Sequence, residues 1–228
     1  MNYISSKKML FIGGLTSSGT SIAVKSIKRI SPFISTDPYL EGQHTPSHPS
    51  FMGRGYKLLS NFSDAQALLV HNWINGFCKG YDDINWFVEK SPCHFSCFLA
   101  ISRMYNDEPY FIVMKRDPYR CLSSVLARWP NADKDSLYNR LDHMIRFHEE
   151  YVPQINNFKY LKYEKLCKKP QIELAKVFSW LNINVTKRKI LNVCQKYDIS
   201  LKHSRGIPKL EKRTVLLCDK LRELWGYK

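Results

Sequence analysis

The stretch from Met9 to Ile30 constrains the fold more than any other. Met9, Leu10, Phe11 and Ile12 make a short apolar run of the kind that forms a strand buried on both faces. Gly13 and Gly14 interrupt it, and Thr16, Ser17, Ser18, Gly19, Thr20 and Ser21 follow as a turn of small polar residues. From Ile22 the apolar positions return at helical spacing, as Ile22, Ala23, Ile27 and Ile30, with Lys25, Lys28 and Arg29 on the other side. A strand, a small-residue loop and a helix N-terminus bring backbone N–H groups together, and the helix dipole adds partial positive charge. Such a unit holds an anion, and the expected ligand is a phosphate.

Gly14 to Ser21 reads G-x-x-x-x-G-T-S, one residue from the nucleoside-triphosphate loop G-x-x-x-x-G-K-[ST]. The residue that differs is the lysine that reaches the β- and γ-phosphates. Thr20 stands there without its charge, which argues against an ATPase or a nucleotide kinase.

The rest of the chain alternates strand-like and helix-like patterns. Strands are expected at 33–35, 85–89, 110–114 and 158–162; helices at 63–79, 95–105, 118–126, 136–151, 171–181, 186–197 and 214–225. Between them, 36–61 is a long irregular segment rich in Pro, Gly, His and Ser, the length of a binding loop or lid rather than a connector. Alternation of this kind predicts an α/β fold, a parallel sheet covered by helices on both faces. With 228 residues, one domain spanning 1–228 is expected. Parallel sheets bind ligands beyond the carboxyl ends of their strands. The loop after Gly14, Lys90-Ser91, Arg116 and Tyr163 all fall at such ends.

Hydrophobic residues make up 44% of the chain, too many for a disordered one. No apolar run approaches the roughly 18–20 residues that span a bilayer, and the N-terminus has no secretory signal. A cytoplasmic protein is expected. The seven cysteines, Cys78, Cys93, Cys97, Cys121, Cys167, Cys194 and Cys218, form no C-x-x-C pair. Cys93-His94-x-x-Cys97 lacks a second ligand pair at zinc-like spacing, so reduced thiols and no metal are expected. A formal charge of +15 calls for an anionic partner: a phosphorylated cofactor, an acidic substrate, nucleic acid or a membrane surface. Nucleic acid is the weaker choice, because no aromatic-interleaved RNA-binding motif or helix-turn-helix signature is present.

Arg116-Asp117-Pro118 at a strand end, with Ser124 two helical turns further, forms the second constellation. A guanidinium fork and a hydroxyl suit a terminal phosphate dianion. Together with the loop at Thr16, Ser17, Ser18, Gly19, Thr20 and Ser21, these residues resemble the sulfotransferases that use 3′-phosphoadenosine-5′-phosphosulfate. Glu89-Lys90-Ser91-Pro92, Tyr163-Glu164-Lys165-Leu166 and Glu41-Gly42-Gln43-His44 add to the likeness, as does the terminal Leu224-Trp225-Gly226-Tyr227; the last two point to a bacterial branch.

The resemblance implies a P-loop-NTPase-like α/β sandwich and in-line transfer of a sulfuryl group to a hydroxyl or amine, leaving adenosine 3′,5′-bisphosphate. It places Thr16 to Ser21 on the 5′-phosphosulfate, Arg116 and Ser124 on the 3′-phosphate, and Tyr163 at the cofactor. Lys90 is the expected cation at the transferring group and Glu41 the expected base, with Asp37, His44 and His94 as alternative bases. The chain departs from the family pattern P-[RK]-S-G-T-[TS] at Thr16, where proline is expected, and at Ser17, where a basic residue is expected. A glycine-rich C-terminal loop is also not evident, although the segment 202–206 could play its part. The acceptor, a carbohydrate, small molecule or peptide, is not legible; Tyr39, His44, His48, Phe51 and Tyr56 are expected around it. The rival readings are a small-molecule or nucleotide kinase and a non-catalytic basic module that binds polyanions or nucleic acid.

Overall fold

The computed structural model describes residues 7–31, 33–36, 41–52, 57–196 and 209–227, with 195 and 196 by backbone alone. Asp37, Tyr39, Tyr56 and the segment 202–206 lie outside the described residues. In chain order the elements are β1 (Lys8–Gly14), α1 (Thr20–Ile30), β2 (Ile34–Ser35), α2 (Asp64–Cys78), β3 (Trp86–Lys90), α3 (Phe98–Met104) and β4 (Tyr110–Lys115). Then come α4 (Pro118–Arg128), α5 (Lys134–Arg146), β5 (Phe158–Lys162), α6 (Tyr163–Lys168), α7 (Pro170–Trp180), α8 (Lys187–Lys196) and α9 (Lys212–Trp225).

The strands form one sheet in the order β2-β3-β1-β4-β5, and every pairing is parallel. Side chains alternate across it. Leu10 and Ile12 of β1 join Val88, Ile112 and Met114 on one face, packed against Ala23 and Ile27 of α1 and Leu174 and Val177 of α7. Met9 and Phe11 join Phe87, Phe111 and Val113 on the other, against Trp73 and Ile74 of α2, Phe98 of α3, Leu122 of α4 and Leu141 of α5. Phe11 stacks on Phe111 with ring centroids 5.7 Å apart. Burying each of these large side chains contributes about 1.5–3 kcal/mol, which is why the central strands read as continuous apolar runs.

The local signals act where expected. Ser63 caps α2 by accepting from Gln66 N, while Gln66 Oε1 accepts from Ser63 N, a reciprocal capping box. Asp117 caps α4 by accepting from Tyr119 N at 2.9 Å. The region expected to be a helix over 95–105 opens instead with a 3₁₀ segment, Pro92–Cys97, before α3. The helix expected over 136–151 is α5 followed by a π-helical turn at Phe147–Tyr151.

The topology positions the site. From β1 the chain moves to β2 on one side, and after β3 it crosses β1 to reach β4 on the other. The loops after β1 and β4 therefore diverge, and their helices α1 and α4 pack on opposite faces of the sheet. A crevice opens between the carboxyl ends of these two neighbouring strands, the usual ligand site of such sheets. Among the described residues no helix is long and apolar enough to cross a membrane.

Candidate active site

A cleft of about 1640 Å³ occupies that crevice. Its walls include Thr16, Ser17, Gly19, Thr20 and Ser21 of the first loop, Arg116 after β4, Ser124 of α4, Tyr163 after β5, and Glu41, Gln43 and His44 from the long segment.

The first loop closes tightly. Ser18 N donates to Leu15 O at 3.0 Å, and Ser17 and Gly19 take φ of 67° and 99°. Gly19 needs its missing side chain twice over, because its backbone is left-handed and a Cβ would run into the Tyr163 ring. As N-cap of α1 it offers no side-chain acceptor, and the first turn carries no acidic residue. The leading N–H groups of α1, at Thr20 and Ser21, have no intrahelical carbonyl to reach. Ser18 departs from its expected place at the ligand. It is fully buried, its side chain turned back against Gly14, so it shapes the loop and does not line the cleft.

Arg116 spans the crevice. Its Nη1 donates to Ser17 O at 2.6 Å, and its guanidinium lies over the Tyr163 ring, 4.5 Å from the centroid. Burial pushes the Tyr163 phenol up to about 12, so the ring serves as a neutral wall. Ser124 follows on the cleft side of α4, with Arg120 one turn before it and Arg128 one turn after. Glu164 fixes this corner: Oε1 accepts from Asp117 N at 3.3 Å and Oε2 from Tyr227 OH at 2.7 Å. Ser17 Oγ and Arg116 Nε are buried donors without a hydrogen-bond partner among the described residues. Unsatisfied buried donors on both sides of one crevice fit an anionic group with several acceptor oxygens.

Lys90 and Glu41 meet. Lys90 Nζ donates to Glu41 Oε1 at 2.5 Å; the lysine side chain is 1% exposed and the glutamate 22%. Glu41 faces the cleft, whereas Lys90 lies beneath it and is not part of the wall. Gln43 Nε2 also donates to Glu41 Oε2, and His44 Nε2 stands 3.5 Å from that oxygen.

Glu89 holds this turn in place. Fully buried, it accepts from Gly42 N at 3.1 Å and Ser91 Oγ at 2.6 Å through Oε1, and pairs with His94 Nδ1 at 2.9 Å through Oε2. Ser91 Oγ accepts in turn from Gln43 N at 3.1 Å. Gly42 fits because a Cβ would lie 2.6 Å from Glu89 Oε1. His94, an alternative base in the sequence, is fully buried and bonded to Glu89 and to His48 Nε2 at 2.8 Å, away from the cleft. His44 remains at the cleft.

Sequence reasoning missed Glu89 as an anchor and Arg140 as a wall residue. Arg140, on α5, donates from Nη1 to Thr16 Oγ1 at 3.0 Å and lines the cleft beside the first loop. Its only signal was its place beside the inward-facing Leu137 and Leu141, where many surface arginines also occur. Among the described residues no cluster of three or more His, Cys, Asp or Glu could hold a metal ion.

Comparison with known proteins bears on this site. Residues 43–187, well over half of the chain, match the sequence model of the sulfotransferase family. The fold is similar to the sulfotransferase domain from the curacin biosynthetic pathway, at 15% identity and TM-score 0.59, covering 97% of this chain and 98% of that one. It is also similar to the sulfotransferase domain of the Synechococcus PCC 7002 olefin synthase, at 15% identity and TM-score 0.57, covering 100% of this chain and 98% of that one. Mouse sulfotransferase SULT7A1, solved in complex with PAP, superposes at 13% identity and TM-score 0.53, covering 83% of this chain and 64% of that one. No curated protein sequence matches. At these identities the structural likeness is one of fold, and it agrees with the match in sequence: the chain belongs to the sulfotransferase family.

Proposed function

We propose that this chain, as one sulfotransferase-like domain over 1–228, transfers a sulfuryl group from 3′-phosphoadenosine-5′-phosphosulfate to a hydroxyl or amine by in-line displacement. The observation that carries the reading is the pair of anion-binding ends on one crevice: the Thr16–Ser21 side at β1, and Arg116 with Ser124 at β4. PAP is the ligand of the mouse relative, and the buried unsatisfied donors at Ser17 and Arg116 fit a group phosphorylated at both ends.

When bound, the phosphosulfate supplies an activated sulfuryl group with adenosine 3′,5′-bisphosphate as its leaving group. The Gly19, Thr20 and Ser21 backbone holds the 5′ end by N–H donation along the α1 dipole. Arg116 and Ser124 hold the 3′-phosphate, with the Tyr163 ring fixing the guanidinium plane. Glu41 takes the acceptor's proton; a carboxylate suffices because the hydroxyl becomes acidic only as its oxygen bonds to sulfur. Lys90, paired with Glu41 and outside the cleft wall, orients the base from below instead of meeting the leaving oxygen as the sequence suggests.

The acceptor enters from the side of Glu41, Gln43 and His44. The net charge of +15 favours an anionic acceptor, whether carbohydrate, small molecule or peptide. We place the protein in the cytoplasm, with its cysteines as reduced thiols. A panel of acceptors incubated with protein and ³⁵S-labelled phosphosulfate tests the activity. Label on at least one acceptor, lost in Glu41→Gln, supports it; transfer of phosphate from ATP with magnesium instead overturns it in favour of a kinase.

A further inference from the structure

We infer that Arg140 is the charged ligand of the 5′ end of the bound nucleotide, supplied from helix α5 to a phosphate loop that carries no charge of its own. The inference rests on the proposed cofactor. From Gly14 to Ser21 the loop contains only neutral residues, so its N–H groups and the α1 dipole face a multiply charged anion without a formal cation. Those N–H groups solvate an anion but do not neutralise it, whereas hydrogen bonds from an ionised donor are about twice as strong.

Arg140 stands where that charge is missing. Its Nη1 donates to Thr16 Oγ1 at 3.0 Å, and Thr16, Ser17 and Arg140 share one wall of the cleft. The backbone that aims it is rigid: Leu137, Leu141 and Met144 on the same helix are buried in the core beneath the sheet. Arg116, bonded to Ser17 O, reaches the loop from the opposite strand end. The loop thus lies between two guanidinium groups. Arg116 also belongs to the Ser124 side, which leaves Arg140 as the guanidinium committed to the 5′ side.

Truncated nucleotides separate the two ends. Titrations of adenosine 3′,5′-bisphosphate and adenosine 3′-phosphate are compared for wild type, Arg140→Gln and Arg116→Ala, together with Arg140→Gln carrying Ser17→Lys. Loss of one charge-assisted bond weakens binding roughly ten- to hundredfold. Arg140→Gln should therefore weaken the bisphosphate by at least about tenfold while leaving the 3′-phosphate affinity within about twofold. Ser17→Lys should restore the lost affinity, since Ser17 already bears the cost of a left-handed backbone at φ 67°. Arg116→Ala should weaken both ligands. Unchanged bisphosphate affinity in Arg140→Gln, an equal loss for both nucleotides, or no recovery with Ser17→Lys overturns the inference and leaves the cofactor reading standing. A wild-type protein that binds neither nucleotide overturns the cofactor reading itself, and this inference with it.

Discussion

Glu41→Gln separates what the Lys90–Glu41 pair does for the fold from what it does for the reaction. The substitution keeps the side chain's shape and leaves the ammonium of Lys90, 1% exposed, facing a neutral amide. Removing one partner of a buried pair costs about 3–5 kcal/mol, and the 22% exposure of Glu41 puts this case near the lower end. At about 2–4 °C per kcal/mol for a chain of this size, a 3 kcal/mol loss lowers Tm by roughly 6–12 °C. Lys90→Met with Glu41→Gln removes both charges and should recover most of that loss, because no unpaired ion remains. Turnover should behave differently. It should fall by about 10²–10⁴ in Glu41→Gln and stay low in the stable double variant, since the base is absent from both. Thermal melts and labelled-sulfate transfer on the four proteins of the cycle complete the test. Single variants that melt within about 2 °C of wild type would show the pair to be energetically idle. Undiminished turnover in Glu41→Gln would hand the proton to Asp37 or His44, of which His44 is the one on the cleft wall among the described residues.

Gly19→Ala should lower Tm and abolish stabilisation by the bisphosphate, because a left-handed alanine costs about 1–2 kcal/mol before its Cβ displaces the Tyr163 ring; an unchanged melt with intact nucleotide protection would refute the loop geometry. Arg116→Ala should weaken the bisphosphate by roughly ten- to hundredfold in a calorimetric titration, the value of a hydrogen bond to a charged group, and a change below twofold would remove Arg116 from the site. Burial raises the thiols of Cys97, Cys167, Cys194 and Cys218, those of Cys97 and Cys218 to about 12, but of these only Cys167 and Cys194 are half-exposed. At pH 8 iodoacetamide should therefore label these two slowly and reach Cys97 and Cys218 only after denaturation. Fast native labelling of Cys97, read by peptide mass mapping, would contradict its packing in the core.

Much of the fold was legible because its signals are local. β4 exceeds its expected range only by Lys115, since a strand buried on both faces appears as an apolar run bounded by polar residues. The edge strand β5, an alternating and half-buried F-K-Y-L-K, spans the residues expected of it. Helix α6 was missed because six residues directly after a strand show no helical period. The strand order was also out of reach, being set by crossovers rather than by any one segment. At the site, the loop and the Arg116–Ser124 pair were readable from spacing. Lys90 could be read as a cation at a strand end, but not that it would be buried against Glu41, which depends on a turn 49 residues earlier. His94 and Arg140 changed standing for the same reason: partners distant in sequence decide which polar side chains face the cleft.

Thermal stabilisation by adenosine 3′,5′-bisphosphate, set against ATP with magnesium, tests the central claim most directly. At 100 times its dissociation constant a ligand adds about 2.7 kcal/mol, which for a chain of 228 residues raises Tm by roughly 5–11 °C. The account predicts that rise with the bisphosphate and little or none with ATP and magnesium. Protection by ATP and magnesium without protection by the bisphosphate would contradict it.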